Sequence, residues 1–120
     1  MFGLDNPSGI NVMPAITPVN NPAPLWFTEG GSGLSASYPG QEWFNQVQAE
    51  LLGVLKEAGV QPDKSKLNQV AAAIRKIIQN TVPTASTTTP GIVKLSSIIN
   101  SDSDTTAPTS RVVNDVYRMV

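Results

Sequence analysis

The sequence predicts a mainly α-helical chain with long irregular regions, organised in three parts. Residues 1–37 form an extended proline- and glycine-rich arm, residues 38–82 an antiparallel helical hairpin, and residues 83–120 a linker followed by a short strand–turn–helix segment. Prolines concentrate before residue 40, apolar residues recur at helical spacing between residues 41 and 78, and a short alternating run follows Pro90. These three observations carry the prediction.

The arm is too rich in proline for a helix and too apolar for ordinary disorder. Proline removes a backbone donor and breaks helices and sheets, whereas disordered segments are typically charged and poor in apolar residues. Only Asp5 and Glu29 are charged before residue 38. We therefore expect the arm to dock on its own assembly or on a neighbouring protein, with a flexible tail as the alternative. Its prolines are Pro7, Pro14, Pro18, Pro22 and Pro24.

Residues 30–33, Gly-Gly-Ser-Gly, are typical of a flexible joint. A phosphate-binding loop would need a following Lys and Ser or Thr at fixed spacing after a strand. Neither is present, so this alternative is disfavoured.

A first helix is predicted over about residues 40–58. Its apolar residues recur at steps of three and four, and Gly59 supplies a stop signal. The residues of this stripe are Phe44, Val47, Leu51, Val54 and Ala58, widened by Trp43 and Leu55.

A second helix is predicted to begin at Asp63 as its cap and to end before Pro83. Its apolar face comprises Leu67, Val70, Ala71, Ile74, Ile77 and Ile78. The short connection at residues 59–62 makes the two helices antiparallel.

A two-helix hairpin leaves one side of both apolar stripes open, and a core this small needs a staple. The chain has no cysteine or histidine, so disulfides and the common metal sites are excluded and association with other chains remains. Neighbouring copies or the arm itself would cover the open side. The interface candidates are Met13, Ile16, Leu25, Trp26, Phe27, Trp43, Phe44, Val47, Leu51, Leu67, Val70, Ile74 and Ile77.

After the polar linker at residues 84–90, a strand is predicted over residues 91–96 and a turn over 100–104. A last helix begins at Thr109 or Ser110, with Val113, Val116 and Tyr117 facing inward. Asp102 and Asp104 lack the glycine and the bidentate glutamate of a calcium loop, so a calcium site is disfavoured.

No enzyme, cofactor or metal site is predicted. Without histidine and cysteine the usual proton relays and nucleophile pairs cannot form, and Glu50 and Glu57 are expected to be ordinary solvated charges. The net charge of −1 disfavours nucleic-acid binding, although a DNA-binding helix-turn-helix module is the alternative, with its basic residues at Lys64, Lys66, Arg75 and Lys76. No apolar run is long enough for membrane insertion, and we expect synthesis in the cytoplasm.

Two stretches resemble bacteriophage tail-fibre sequences. Thr89-Pro90-Gly91-Ile92-Val93-Lys94-Leu95-Ser96, followed by Ala107-Pro108-Thr109 and Val112-Val113, resembles the phage tail-fibre repeat, in which a Pro-Gly-x-Val-Lys-Leu strand precedes a helix. Residues 38–52, 58–64 and 67–69, together with the motifs at 4–9, 12–14 and 26–30, are similar to the N-terminal region of Mu-like tail fibres.

This resemblance implies a homotrimeric structural protein of the virion that is made in the host bacterial cytoplasm. Its N-terminal part would attach the fibre to a phage baseplate protein and so support host adsorption. A distal fibre or a host receptor would be contacted only through parts outside this chain, since a single repeat is visible and no receptor-binding tip follows it. A fragment or a fibre base alone is the expectation.

Overall fold

The computed structural model describes residues 1–119, in which three helices and one two-stranded sheet form. They are α1 (Gln41–Ala58), α2 (Gln69–Thr81), β1 (Lys94–Ser96), β2 (Thr106–Pro108) and α3 (Ser110–Arg118). The predicted mainly α-helical class is confirmed. The chain divides into two compact units, Met1–Ile74 (unit 1) and Arg75–Val120 (unit 2).

Helix α1 has the bounds that the sequence predicts. It follows Gly40, whose backbone is extended, and it ends at Ala58, before Gly59, whose φ of 69° lies in the left-handed region. The Gly59 N–H donates to the carbonyls of Leu55 and Lys56 and so provides a hydrogen-bond donor for the carbonyls of the last turn. Leu55 and Ala58, near this end, are the buried residues of α1.

Helix α2 begins at Gln69, six residues after the predicted cap at Asp63. That prediction was wrong because the Asp63 carboxylate makes a local turn instead: its Oδ1 accepts from Ser65 N at 3.0 Å and from Ser65 Oγ at 2.6 Å. Leu67, assigned to the apolar face of this helix, therefore lies before it and is 98% exposed. The residues of α2 that are buried are Gln69 and Ala73.

The sheet of unit 2 is parallel. Lys94, Leu95 and Ser96 pair with Thr106, Ala107 and Pro108 in register. The predicted strand at 91–96 is shorter in the structure, because Ile92 forms a separate parallel bridge with Thr84. Strand β2 was not predicted, since its three residues show no alternation.

Helix α3 packs against β2 and begins where the sequence predicts. Thr109 is its N-cap, and the threonine Oγ1 accepts from Val112 N at 3.3 Å. The predicted inward face was wrong: Val112 is buried, whereas Val113, Val116 and Tyr117 are exposed. The contact with β2 turns the Val112 side of the helix inward, and a helix of nine residues is too short for spacing alone to fix its buried face.

Replacing Thr109 with alanine is expected to destabilise unit 2 by about 0.5–2 kcal/mol, because the first turn of α3 loses its cap. Thr109→Ser retains the hydroxyl and is the matched control. Amide exchange at Val112, followed by NMR, should accelerate in the alanine variant and remain near wild type in the serine variant. Equal rates in all three proteins would contradict a capping role.

Candidate interaction surface

An open apolar groove of about 760 Å³ lies along α1 in unit 1. Its apolar lining includes Phe2, Trp43, Phe44, Val47 and Leu51. The first four of these side chains are exposed, and Leu51 is half-buried. The helical spacing of four of these residues predicted their common face; Phe2 was missed because a lone apolar residue in an irregular segment carries no periodic signal.

The arm contacts α1 through an aromatic pair. Phe27 and Trp43 have ring centroids 5.2 Å apart and an interplanar angle of 70°, which is an edge-to-face arrangement. Such pairs contribute about 0.5–1.5 kcal/mol beyond the area that they bury. Phe27 and Trp43, both predicted as interface candidates, are thus brought together within one chain.

A hydrogen-bonded latch joins the arm to the start of α1. The Glu42 carboxylate accepts from Thr17 N at 2.6 Å and from Thr17 Oγ1 at 3.1 Å. These bonds favour the charged form of the carboxylate and lower the pKa of Glu42 below its ordinary value. The bond from the Thr17 backbone has the largest effect and the bond from its hydroxyl the next largest, while burial acts in the opposite direction. Thr17 precedes Leu25 by eight residues and Trp26 by nine in the sequence.

Acidification is expected to open this latch. A lowered folded-state pKa means that the bonds stabilise the structure above the ordinary pKa of 4.5 and lose that contribution as the pH falls through the lower folded value. The Thr17 amide resonance, followed by NMR from pH 6 downward, should shift in that acidic window. Glu42→Gln keeps an acceptor oxygen but does not titrate, so its Thr17 resonance should show no such transition. A transition of the same midpoint in Glu42→Gln would contradict the assignment.

Residues 30–34 form a turn closed by two backbone bonds, where the sequence predicted a flexible joint. Gly31 N donates to Leu34 O at 2.9 Å, and Leu34 N donates to Gly31 O at 3.1 Å. Ser37 N donates to Thr28 O at 2.9 Å and continues the pairing outward. Thr28, which pairs with Ser37, therefore comes directly after the exposed residues Trp26 and Phe27 in the sequence.

The remaining interface candidates do not line the groove. Trp26 is 88% exposed, and Leu67 lies in the connection before α2. Whether the candidates contact another chain stays a prediction. Of this set, Met13, Ile16, Leu25, Trp26, Leu67 and Ile74 are exposed, and Val70 and Ile77 are half-buried.

Within residues 1–119, no three acidic side chains come together in a group that could hold a metal ion. Lys64 pairs with Asp5 at 2.8 Å in an exposed salt bridge. The connection between α1 and α2 runs from Gly59 to Asn68, which is longer than the turn of three or four residues in a helix-turn-helix motif. No helix within residues 1–119 combines the length and the apolar character needed to cross a membrane.

Comparison with known proteins gives two kinds of match. Residues 86–118, which include β1, β2 and α3, match the family model of the phage tail fibre repeat. The chain is 54% identical over 82 residues, 68% of its length, to the Mu-like prophage FluMu defective tail fiber protein of Haemophilus influenzae. It is 37% identical over 140 aligned positions, 94% of its length, to tail fiber protein S of Escherichia phage Mu.

The alignments cover 13% of the prophage protein and 28% of the phage Mu protein, so the chain spans only a minor part of either relative. No solved structure matches. The predicted resemblance is confirmed by both kinds of match. The chain is therefore a relative of the tail fibre proteins of Mu-like phages and carries a phage tail fibre repeat.

Proposed function

We propose that the chain is a structural part of a phage tail fibre, the N-terminal part that holds three fibre chains together and attaches them to a baseplate protein of the virion. In this role it supports adsorption to the host, while receptor contact belongs to fibre parts outside this chain. The proposal requires no cofactor and no catalytic step.

The observation that carries the proposal is the imbalance between buried and exposed apolar residues. Within the described residues, the buried apolar set consists of Leu55, Ala58, Ala73 and Val112. The aromatic and aliphatic side chains of the groove stay largely outside this core. A surface of this kind is typical of a site for association with other chains.

Association of three copies of α1 would bury the apolar residues of the groove. Val47 follows Trp43 by four residues and Phe44 by three, so the three side chains lie on one broad face of α1. The adjacent polar residues of the groove are uncharged Gln41, Asn45 and Gln48, and depletion of charge is typical of interface centres. No Asp, Glu, Lys or Arg side chain lines the groove, so charged side chains there do not oppose close association around a threefold axis.

Unit 2 carries a second apolar opening that suits the same assembly. A groove of about 350 Å³ is lined in part by Ile98, Ile99, Val113 and Val116. These side chains are exposed, while Val112, which also lines the groove, is buried. Association through the repeat would bury them and would add to the contact made by unit 1.

The baseplate contact is assigned to the arm. Residues 6–28 contain no charged side chain, and within them Leu25 and Trp26 project into solvent. Extended segments with apolar anchors bind by seating those anchors in pockets of the partner. Trp26 is the strongest such anchor, because tryptophan is enriched among residues that dominate binding energy.

The absolute mass of the chain in solution tests self-association. We expect light scattering after size exclusion to give about 38 kDa, three times the 12.7 kDa of one chain, over a dilution series. A mass of one chain at every concentration would contradict self-trimerisation and would leave the arm's attachment to be tested separately.

Trp43→Ala and Trp26→Ala are expected to separate the two contacts. Truncating a buried interface tryptophan costs about 2 kcal/mol or more, which is roughly a 30-fold loss of affinity. Trp43→Ala should lower the trimer fraction at a given concentration, whereas Trp26→Ala should retain the trimer and reduce incorporation into phage particles.

Tyr38→Ala is the matched control for both variants, since Tyr38 is an exposed aromatic residue that lies outside the groove and outside the arm. It should behave as wild type in both assays. Wild-type trimerisation and incorporation by both tryptophan variants would overturn the assignment of these surfaces.

A further inference from the structure

Two contacts tie the arm to the first turn of α1 at neighbouring positions. Thr17 N and Thr17 Oγ1 donate to the carboxylate of Glu42 at 2.6 Å and 3.1 Å, and the ring of Phe27 packs edge-to-face against Trp43. Glu42 and Trp43 are consecutive residues of α1, whereas Thr17 and Phe27 are ten positions apart in the arm. The two ends of residues 18–26 are therefore held close together, and the segment between them is a closed loop.

The backbone of this loop turns back on itself. Ten residues in extended conformation would span about 33 Å, far more than the separation of two consecutive residues in a helix. The chain bends at residues 21–23, and Pro18, Pro22 and Pro24 restrict the backbone around the bend. Because each proline reduces the number of conformations open to the free segment, closing this loop costs less entropy than closing a proline-free one of the same length.

The end of the loop at Phe27 is also fixed through the next residue, Thr28. Ser37 Oγ accepts from Thr28 N at 2.5 Å and donates to Thr28 O at 3.2 Å, and Ser37 N donates to the same carbonyl at 2.9 Å. Ser37 lies four residues before the start of α1. This end is therefore held near α1 by the chain itself, and the bonds from Thr17 to Glu42 close the other end.

The loop presents its apolar side chains to solvent. Val19, Leu25 and Trp26 are each at least three-quarters exposed. An open cavity of about 460 Å³ is lined by residues 17–25 together with two polar side chains of α1. The loop is thus closed without being packed into a core, and its apolar side chains remain available to a partner.

A protein pocket fits this loop better than a membrane surface does. Residues 1–55 contain no Lys or Arg, the side chains that anionic lipids attract, and the charged residue bonded to the loop's end is Glu42. Proline-rich segments dock in grooves lined by aromatic side chains, and tryptophan dominates binding energy when it fills an apolar pocket. The partner that fits is a folded protein with an apolar pocket for Trp26 and an adjoining groove for the prolines.

We infer that residues 18–26 are a preformed binding loop, closed by the bonds from Thr17 to Glu42, that places Trp26 in an apolar pocket of the baseplate protein. The inference rests on the proposed attachment through the arm, and it adds Thr17 and Glu42 as positioning residues. A loop that is already closed loses less conformational entropy on binding than a free segment does. Opening the loop at Glu42 therefore weakens attachment although Trp26 itself is unchanged.

Five forms of the full chain test this inference: wild type, Glu42→Ala, Glu42→Gln, Glu50→Ala and Trp26→Ala. Glu42→Ala removes both acceptor oxygens, whereas Glu42→Gln keeps one. Glu50→Ala makes the same change at an exposed glutamate of the same helix and is the matched control. Loop order is measured by ¹⁵N NMR relaxation at residues 19, 20 and 25, with residues 45–55 as a check that α1 stays folded. Attachment is measured by titrating each purified form onto phage particles that lack the fibre chain.

We expect backbone order parameters of about 0.85 in the loop of wild type, Glu50→Ala and Trp26→Ala, and below about 0.6 in Glu42→Ala. Glu42→Gln should lie between these values. The half-saturating concentration on the particles should rise about tenfold in Glu42→Ala and by at least as much in Trp26→Ala, with Glu50→Ala equal to wild type.

A mobile loop in the wild type, or a loop that stays ordered in Glu42→Ala, would overturn the inference. A loosened loop that attaches as tightly as wild type would also overturn it, while weaker attachment of Trp26→Ala would then still support the proposed function. Wild-type attachment of Trp26→Ala would instead contradict attachment through the arm. Binding of the wild type to vesicles of phosphatidylcholine and phosphatidylglycerol, lost in Trp26→Ala, would identify a membrane and not a protein as the partner of the loop.

Discussion

Leu55→Ala is expected to remove a large part of the stability of unit 1. Leu55 is the one large side chain within residues 1–119 that is completely buried, and truncating a buried leucine costs about 2–5 kcal/mol because the cavity does not fully collapse. A unit of this size has a total stability of only about 4–11 kcal/mol. Thermal unfolding followed by circular dichroism at 222 nm should show a midpoint lowered by many degrees.

Leu67→Ala is the matched control, because it makes the same chemical change at a side chain that is almost fully exposed. Exposed substitutions usually alter the unfolding free energy by about 0.5 kcal/mol or less. Equal midpoints for the two variants would show that Leu55 does not anchor the core of unit 1.

Gly91→Ala is expected to disrupt the start of the tail fibre repeat. A Cβ atom at this position would lie 2.0 Å from Pro83 O and 2.7 Å from Pro83 C. Both are backbone atoms, so no side-chain rotation relieves the clash, and the two segments must separate. The separation would break the bonds from Ile92 N to Pro83 O at 2.9 Å and from Ala85 N to Ile92 O at 2.8 Å.

We expect this clash to cost about 1–3 kcal/mol or more and to remove the exchange protection of the Ala85 and Ile92 amides, as observed by NMR. Gly53→Ala is the control: apart from its chain neighbours and the backbone of its own helix, no atom lies within 4 Å of the position of its Cβ, and alanine in a helix interior stabilises by about 0.5–1 kcal/mol relative to glycine. Unchanged protection of both amides in Gly91→Ala would refute the proposed close approach. Loss of this protection in Gly91→Ala would give a physical reason for the glycine in the Pro-Gly-x-Val-Lys-Leu motif.

The sequence predicted α1 and the start of α3, because residues within or next to each helix determine these features. The periodic stripe and Gly59 set both ends of α1, and the hydroxyl of Thr109 set the start of α3. The predicted start of α2 was wrong because the Asp63 carboxylate accepts a hydrogen bond from Ser65 N in a local turn. Such a turn competes with helix capping by the same side chain. Strand β2 exists only through its pairing with β1, which no short window of sequence contains.

The candidate surface was predictable to the same extent. The spacing of Trp43, Phe44, Val47 and Leu51 indicated one face of α1, and the structure places them in one groove. The place of Phe2 in this groove depends on residues of α1 that lie more than 40 positions away in the sequence, such as Trp43. Gln69 was missed for a related reason, since a polar side chain on a helix is normally expected at the surface.

The parallel pairing of β1 and β2 determines the direction in which further strands would add to the sheet of unit 2. Each passage from one strand through a loop to its parallel neighbour displaces the backbone sideways by about 4.8 Å, perpendicular to the strands. The Thr84–Ile92 bridge is also parallel. Within residues 1–119 no third strand joins the β1–β2 sheet, so outward-facing N–H and C=O groups remain at its edges. Backbone winding of this kind progresses along an axis at right angles to its strands, and a further strand could extend it by main-chain hydrogen bonds that do not depend on side-chain identity.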